Sequence, residues 1–287
     1  MLDVFSRSWE LTKISFRVLL ADKELLLFPL LAGAFSLAFS LALIFPTIVM
    51  SADASELGGL DYVVLAITYF GLSFIATFFN VCVVYTTKTR FDGGDASFMD
   101  SIKFALSKLG PIAAWSLVAA SVGLLLRALD RMAERMGGAG EIVMEIMTSM
   151  LGMAWSVITI FVVPGMVYYD LGPIDAIKRS VSTVRQTWGE SLARHFGLGL
   201  MQFLFIVPGI ILGYVLISVA GPGSPTSMLV ALAVSGTYIL AVALVFSVLN
   251  NIFNTALFVY ADRGELPSGF DQDTLEGAFR HRRARGH

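Results

Sequence analysis

The sequence predicts an all-α fold: a polytopic bundle of six transmembrane helices in three parallel repeats, each an interfacial amphipathic helix plus a transmembrane hairpin. Three observations lead there. Of 287 residues, 56% are hydrophobic and 15% charged, with a mean hydropathy of +0.76, whereas soluble domains carry about 25% charged residues. Six apolar runs reach the roughly 20 residues that a bilayer core requires. A short, charged helical pattern also recurs three times along the chain.

Taken in order, the chain opens with VFSRSWELTKISFRVLL at 4–20. Leu2, Phe5, Trp9, Thr12 and Phe16 fall at helical spacing on one face, with Lys13 and Arg17 on another arc. So many charges, with no small-residue cleavage site close by, argue against a removable signal peptide. Span one follows at 25–50 and span two at 60–87. MDSIKFALSKLG then repeats the spacing with Met99, Ile102, Leu106 and Leu109, ahead of spans three (111–128) and four (143–169). IDAIKRSVSTVRQTW repeats it again with Ile174, Ile177, Val181, Val184 and Trp188, ahead of spans five (196–220) and six (228–260).

The three lead-ins share a register. LDVFSR, MDSIKF and IDAIKR each place Asp after an apolar residue, at Asp3, Asp100 and Asp175. The connections also begin alike, with FDGG at 91, YDLGP at 169 and YADRG at 260. This is the signature of an internal triplication, with repeats at about 1–90, 91–169 and 170–262 inside one membrane domain (1–270), and a basic, disordered tail at 271–287. Each Asp falls at a helix N-terminus, where a carboxylate meets free N–H groups and the positive dipole end. Trp9, Arg17, Lys103, Arg179, Arg185 and Trp188 mark the interfacial helices, with basic groups turned toward anionic lipid of the inner leaflet.

Orientation follows from the basic residues. Seventeen of the 20 Lys and Arg fall on one side of the predicted spans, and only Arg127, Arg131 and Arg135 on the other. The positive-inside rule places both termini in the cytoplasm and the chain, as a multi-pass protein, in the cytoplasmic membrane. A net charge of −2 excludes a nucleic-acid partner, which demands a basic face. Cys82 is the only cysteine, so neither a disulfide framework nor a Cys/His metal site is expected.

Catalytic groups are scarce. No Asp, Glu, Lys or His falls mid-span, HExxH is missing, and all three His lie on the cytoplasmic side. No catalytic, cofactor-binding or metal residue is therefore expected. The polar residues within spans are hydroxyls and amides, the amides being Asn80 in span two and Asn250, Asn251 and Asn254 in span six. These are a candidate intramembrane polar site, although interhelical hydrogen bonding is their plainer role. Val-Pro-Gly occurs twice, and Pro164-Gly165 and Pro208-Gly209 are expected to kink spans four and five. Gly209 and Gly213 form a GxxxG pair suited to helix contact. Outside the membrane, the hairpin at 127–147 carries Arg131 and Arg135 opposite Glu141 and Glu145 and is a candidate protein-binding knob. Six Met crowd this hairpin; thioethers bind Cu(I), but on helical stripes they read as packing residues.

The run SRSWELTKISFRVLLADKELLLFPLLAG, over about residues 5–33, resembles the N-terminal signature of a family of uncharacterised prokaryotic integral membrane proteins, a domain of unknown function. More loosely, the repeated helix-plus-hairpin is similar to the membrane domain of some bacterial glycerophosphodiester phosphodiesterases, without their catalytic domain. The resemblance implies no active residues. The function expected is non-enzymatic: organising lipid or partner proteins at the inner leaflet. The alternative is a transporter or channel for a small or lipidic solute.

Overall fold

A computed structural model of the chain describes residues 2–50, 59–187, 197–220, 225–267 and 270. Ten α-helices are formed among them: α1 (Leu2–Ala21), α2 (Leu27–Met50), α3 (Gly59–Phe91), α4 (Phe98–Ser107), α5 (Leu109–Met136), α6 (Gly138–Ile158), α7 (Val162–Tyr169), α8 (Pro173–Thr187), α9 (Gly197–Ala220) and α10 (Pro225–Arg263). A 3-10 turn, Lys23–Leu26, joins α1 to α2. No strand occurs among the described residues. Six segments are long and apolar enough to cross a membrane, from Lys23–Leu43 to Met228–Arg263, which makes this a multi-pass membrane protein. Trp188 and the tail 271–287 lie outside the described residues.

The chain folds into two compact units. The larger, Leu27–Gly189, contains α2 to α8. Its spans pack by small-against-large contacts. Gly71 of α3 lies against the Phe39 ring of α2, and Gly123 of α5 against Tyr69 of α3. Trp115 of α5 stacks on Trp155 of α6 at 5.9 Å. The best-buried stretches are Val81 to Val84 of α3 and Phe161 to Val167 of α7, close to the ends where the short helices α4 and α8 attach. Elsewhere the spans expose Leu, Ile, Met and Phe. That distribution is wrong for water and right for lipid, which solvates such side chains as well as a protein core does.

The smaller unit gathers Met1–Leu26 and Glu190–His287. Its spans, α9 and α10, form a hairpin held by glycine. A Cβ on Gly209 would come within 2.6 Å of Tyr238 and 2.9 Å of Ile239, and one on Gly213 within 2.9 Å of the Ser235 hydroxyl. The GxxxG pair is thus spent inside the fold. The unit's core lies toward the basic end of α10, where Val248, Leu249, Ile252 and Ala256 to Phe258 are buried. α1 packs there on α9 and α10.

Span four is not one helix. It breaks between Ile158 and Val162, just ahead of Pro164. Proline cannot accept its place in the i→i−4 ladder and crowds the carbonyl four residues back, here that of Ile160. α9, in contrast, stays helical through Pro208. The α5–α6 hairpin turns on Gly137 and Gly138, both with positive φ (65° and 59°). Among the described residues no ion pair joins Arg131 or Arg135 to Glu141 or Glu145, contrary to the pairing the sequence suggested. The hairpin closes instead on buried Ala133 and on Met136 against Gly140.

Candidate functional site

Three short helices carry most of the polar chemistry, and each attaches to a span through small or hydroxyl-bearing residues. α4 begins with a capping box. The Ser97 hydroxyl accepts from the Asp100 amide at 3.2 Å, and the Asp100 carboxylate accepts from the Ser97 amide at 3.2 Å and hydroxyl at 2.6 Å. These bonds from the Ser97 hydroxyl and amide hold the Asp100 carboxyl below the usual aspartate range. Ser101 and Ala105 are fully buried. The Ser101 hydroxyl lies 2.6 Å from that of Thr86 on α3, and the Cys82 thiol donates to the Ser101 carbonyl at 3.6 Å. Tyr85 stacks on Phe104 at 4.2 Å. The large residues, Met99, Leu106 and Leu109, stay exposed, as does Lys103.

α8 repeats the arrangement on α7. Ala176 and Ser180 are fully buried. Ala176 faces Gly165, where a Cβ would lie 3.9 Å from it. The Phe161 amide, freed by the break in span four, donates to the Ser180 hydroxyl at 3.2 Å. Ile174 and Val181 are exposed. Arg179 lies 3.7 Å over the Tyr169 ring, Arg185 is exposed, and Lys178 pairs with Asp175 at 3.2 Å. Both helices follow a span that ends in left-handed backbone, at Gly93 (φ 80°) and Asp170 (φ 55°); Gly264 (φ 67°) does the same after α10. Asp170 also takes Lys108 at 2.7 Å.

α1 buries Thr12, Ser15, Val18 and Leu19 and exposes Trp9, Phe16 and Leu20. Trp9 stacks on Phe205 of α9 at 6.4 Å, and Lys13 lies 5.4 Å from the Trp9 ring. Lys13 and Arg17 are exposed. Beside them α1, α9 and α10 enclose an open groove of about 360 Å3, toward the lower end of the roughly 300–1,000 Å3 typical of ligand pockets. Trp9, Phe16, Phe205, Val242, Val245 and Phe246 contribute most of its wall. Tyr238 also lines it, with its hydroxyl donating to the Phe205 carbonyl at 2.9 Å. That bond sits one residue beyond Leu204, the carbonyl left without its usual partner by Pro208.

The amides predicted as a polar site fall in different units. Asn80 belongs to α3 of the larger unit, and its side-chain oxygen is buried with no hydrogen-bond partner among the described residues. Asn250, Asn251 and Asn254 share α10 of the smaller unit and are half-buried. None of the four lines the groove. Among the described residues no group of three His, Cys, Asp or Glu is placed to hold a metal ion. Sequence reasoning missed the groove, because its walls come from residues near 10, 205 and 240.

Residues 59–270 match a family of unknown function, DUF6159. The chain belongs to that family. The DUF6159 match takes in α3 to α10, hence two of the three short helices. It begins beyond the 5–33 run that carried the resemblance noted above, so α1 lies outside it. The DUF6159 region therefore supplies the α9 and α10 walls of the groove, while α1 supplies the wall that bears Lys13. None of the curated proteins matches the chain.

Proposed function

We propose that this protein is a non-enzymatic organiser of anionic lipid at the inner leaflet of the cytoplasmic membrane, with both termini in the cytoplasm. The observation that carries the proposal is the division of faces on α1, α4 and α8. α4 docks through Ser101 and Ala105, α8 through Ala176, Ser180, Thr183 and Val184, and α1 through Thr12, Ser15, Val18 and Leu19, and each leaves other large apolar side chains exposed beside exposed Lys or Arg. A helix docked for water would do the reverse. One that lies in the headgroup plane needs large apolar groups facing the acyl chains and basic groups facing the phosphates.

The same faces support a threefold repeat. The sixth residue after Asp3, Asp100 and Asp175 is Trp9, Leu106 and Val181, exposed in every case. The first and fifth after Asp100 and Asp175 are buried in both. In this reading the docking order is cyclic: α4 sits on α3, α8 on α7, and α1 on the last hairpin, α9 and α10. The exposed α5–α6 hairpin (127–147) then serves as the surface for a protein partner.

The test is reconstitution of the full chain into vesicles containing fluorescent phosphatidylglycerol in phosphatidylcholine. The reading expects phosphatidylglycerol to concentrate around the protein, seen as self-quenching that high salt reverses. Uniform lipid, together with protein-dependent flux of a trapped solute, would replace it with the transporter reading built on Asn80 and Asn254.

A further inference from the structure

We propose that the groove between α1, α9 and α10 holds one acyl chain of an anionic phospholipid, whose phosphate sits against Lys13 and Arg17. The proposal rests on the lipid-facing reading of α1 and narrows it to one seat. Two independent features point to this occupant.

The first is the lining. Apart from Thr12, Lys13 and Tyr238, every residue of the groove is apolar. The Tyr238 hydroxyl is turned away to the Phe205 carbonyl, so the wall asks for an apolar guest. In a membrane-spanning hairpin, the apolar guest at hand is a lipid chain.

The second is charge. In the larger unit three basic groups near the short helices are engaged, Arg90 by Asp95 at 2.9 Å, Lys108 by Asp170 at 2.7 Å and Lys178 by Asp175 at 3.2 Å, and the exposed Lys103 and Arg185 border no groove of this kind. Lys88 lies 5.0 Å from the Tyr168 ring. On α1, Lys13 and Arg17 meet no carboxylate among the described residues, and they stand one helical turn apart on the same side. Lys13 lies over the π-face of Trp9. Two exposed cations at the edge of an apolar groove match the two ends of an anionic phospholipid: a chain for the groove and a phosphate for the cations. A neutral chain such as a quinone would leave both cations unanswered.

The experiment uses the full-length protein in vesicles doped with a phospholipid bearing a diazirine on its acyl chain, as phosphatidylglycerol or as phosphatidylcholine. Adducts are mapped by mass spectrometry after illumination. Adducts are expected on Phe205 and on the Tyr238–Leu249 segment with phosphatidylglycerol. Ala241→Trp fills the groove from α10 and should abolish them, while circular dichroism stays unchanged. The double variant Lys13→Gln/Arg17→Gln keeps the groove, and phosphatidylglycerol adducts should fall about 25-fold, a factor of about five for each basic residue. Adducts that persist in Ala241→Trp, equal labelling by the two lipids, or a groove covered by cross-links to a second copy would each overturn the proposal. The outcome separates from that of the vesicle test above. Lipid concentration without groove adducts removes the seat alone, and groove adducts without lipid concentration remove the organising role alone.

Discussion

The two units hold their short helices in different ways. In Leu27–Gly189, α4 and α8 are pinned by polar bonds buried beneath them: Ser101 to Thr86, and Phe161 to Ser180. Three neighbouring cations, Arg90, Lys108 and Lys178, are matched to carboxylates. In the smaller unit α1 is held by aromatic and aliphatic contact, with Trp9 on Phe205 and with Val18 and Leu19 buried, and its cations face outward. Polar pinning fixes one geometry, because a displaced hydroxyl or amide is left unpaired in a low-dielectric setting. Apolar contact tolerates sliding at little cost. One helical device thus appears in a locked form and in an adaptable form, and the groove belongs to the adaptable one.

That contrast can be broken from either side. The largest effect is expected at Gly209, where a side chain must displace Tyr238 and Ile239. Gly209→Leu should destabilise the α9–α10 hairpin by about 3 kcal/mol, read as a lower thermal midpoint in detergent. Hydrogen exchange should rise in α1 and α10 and not in α4 or α8; uniform exchange would show that the units do not unfold separately. Next comes Ser180→Ala, which leaves the buried Phe161 amide without its acceptor and should cost about 2 kcal/mol. Its exchange signature should be confined to α7 and α8.

The smallest effect sharpens the locked side. Ser97→Ala removes the α4 cap and should cost about 1 kcal/mol, with faster exchange at Met99 to Ser101. The same cap sets a pH dependence. Asp100 is held below the ordinary carboxylate range by Ser97, so its contribution is complete above the unfolded value of about 3.9. It is lost as pH falls through the lower folded value. Protection at the start of α4 should therefore be flat near neutrality and decline only in acid, and Ser97→Ala should weaken that acid response.

The spans were legible because a bilayer demands length and apolarity, which composition records directly. The short helices were legible because their charges interrupt the pattern at helical spacing. Which face docks was not. Periodicity follows large residues and marks Met99, Leu106, Ile174 and Val181, all four of them exposed, but it says nothing of the residues that dock. Against a membrane bundle the small face docks, through Ser101, Ala105, Ala176 and Ser180, because close approach and hydrogen bonds drive association there. The break in span four was half-legible: Pro164 announces it, but the Ser180 hydroxyl that receives the freed amide lies 19 residues from Phe161. The groove was not legible at all, since Trp9 and Phe205 meet only after the hairpin has folded.

The attachment of α1 to α9 and α10 has a consequence for biosynthesis. α1 leaves the ribosome well before α10, which is completed about 240 residues later, a delay of about 12–48 s at ordinary elongation rates. Through that interval the newborn segment has no docking hairpin, and its Trp and Phe must be sheltered by the translocation machinery or by the bilayer surface itself. Assembly of the smaller unit therefore waits until α10 has been made. A stalled or truncated chain lacking α10 would display α1 unseated, a ready mark by which quality-control proteases could tell unfinished copies from finished ones.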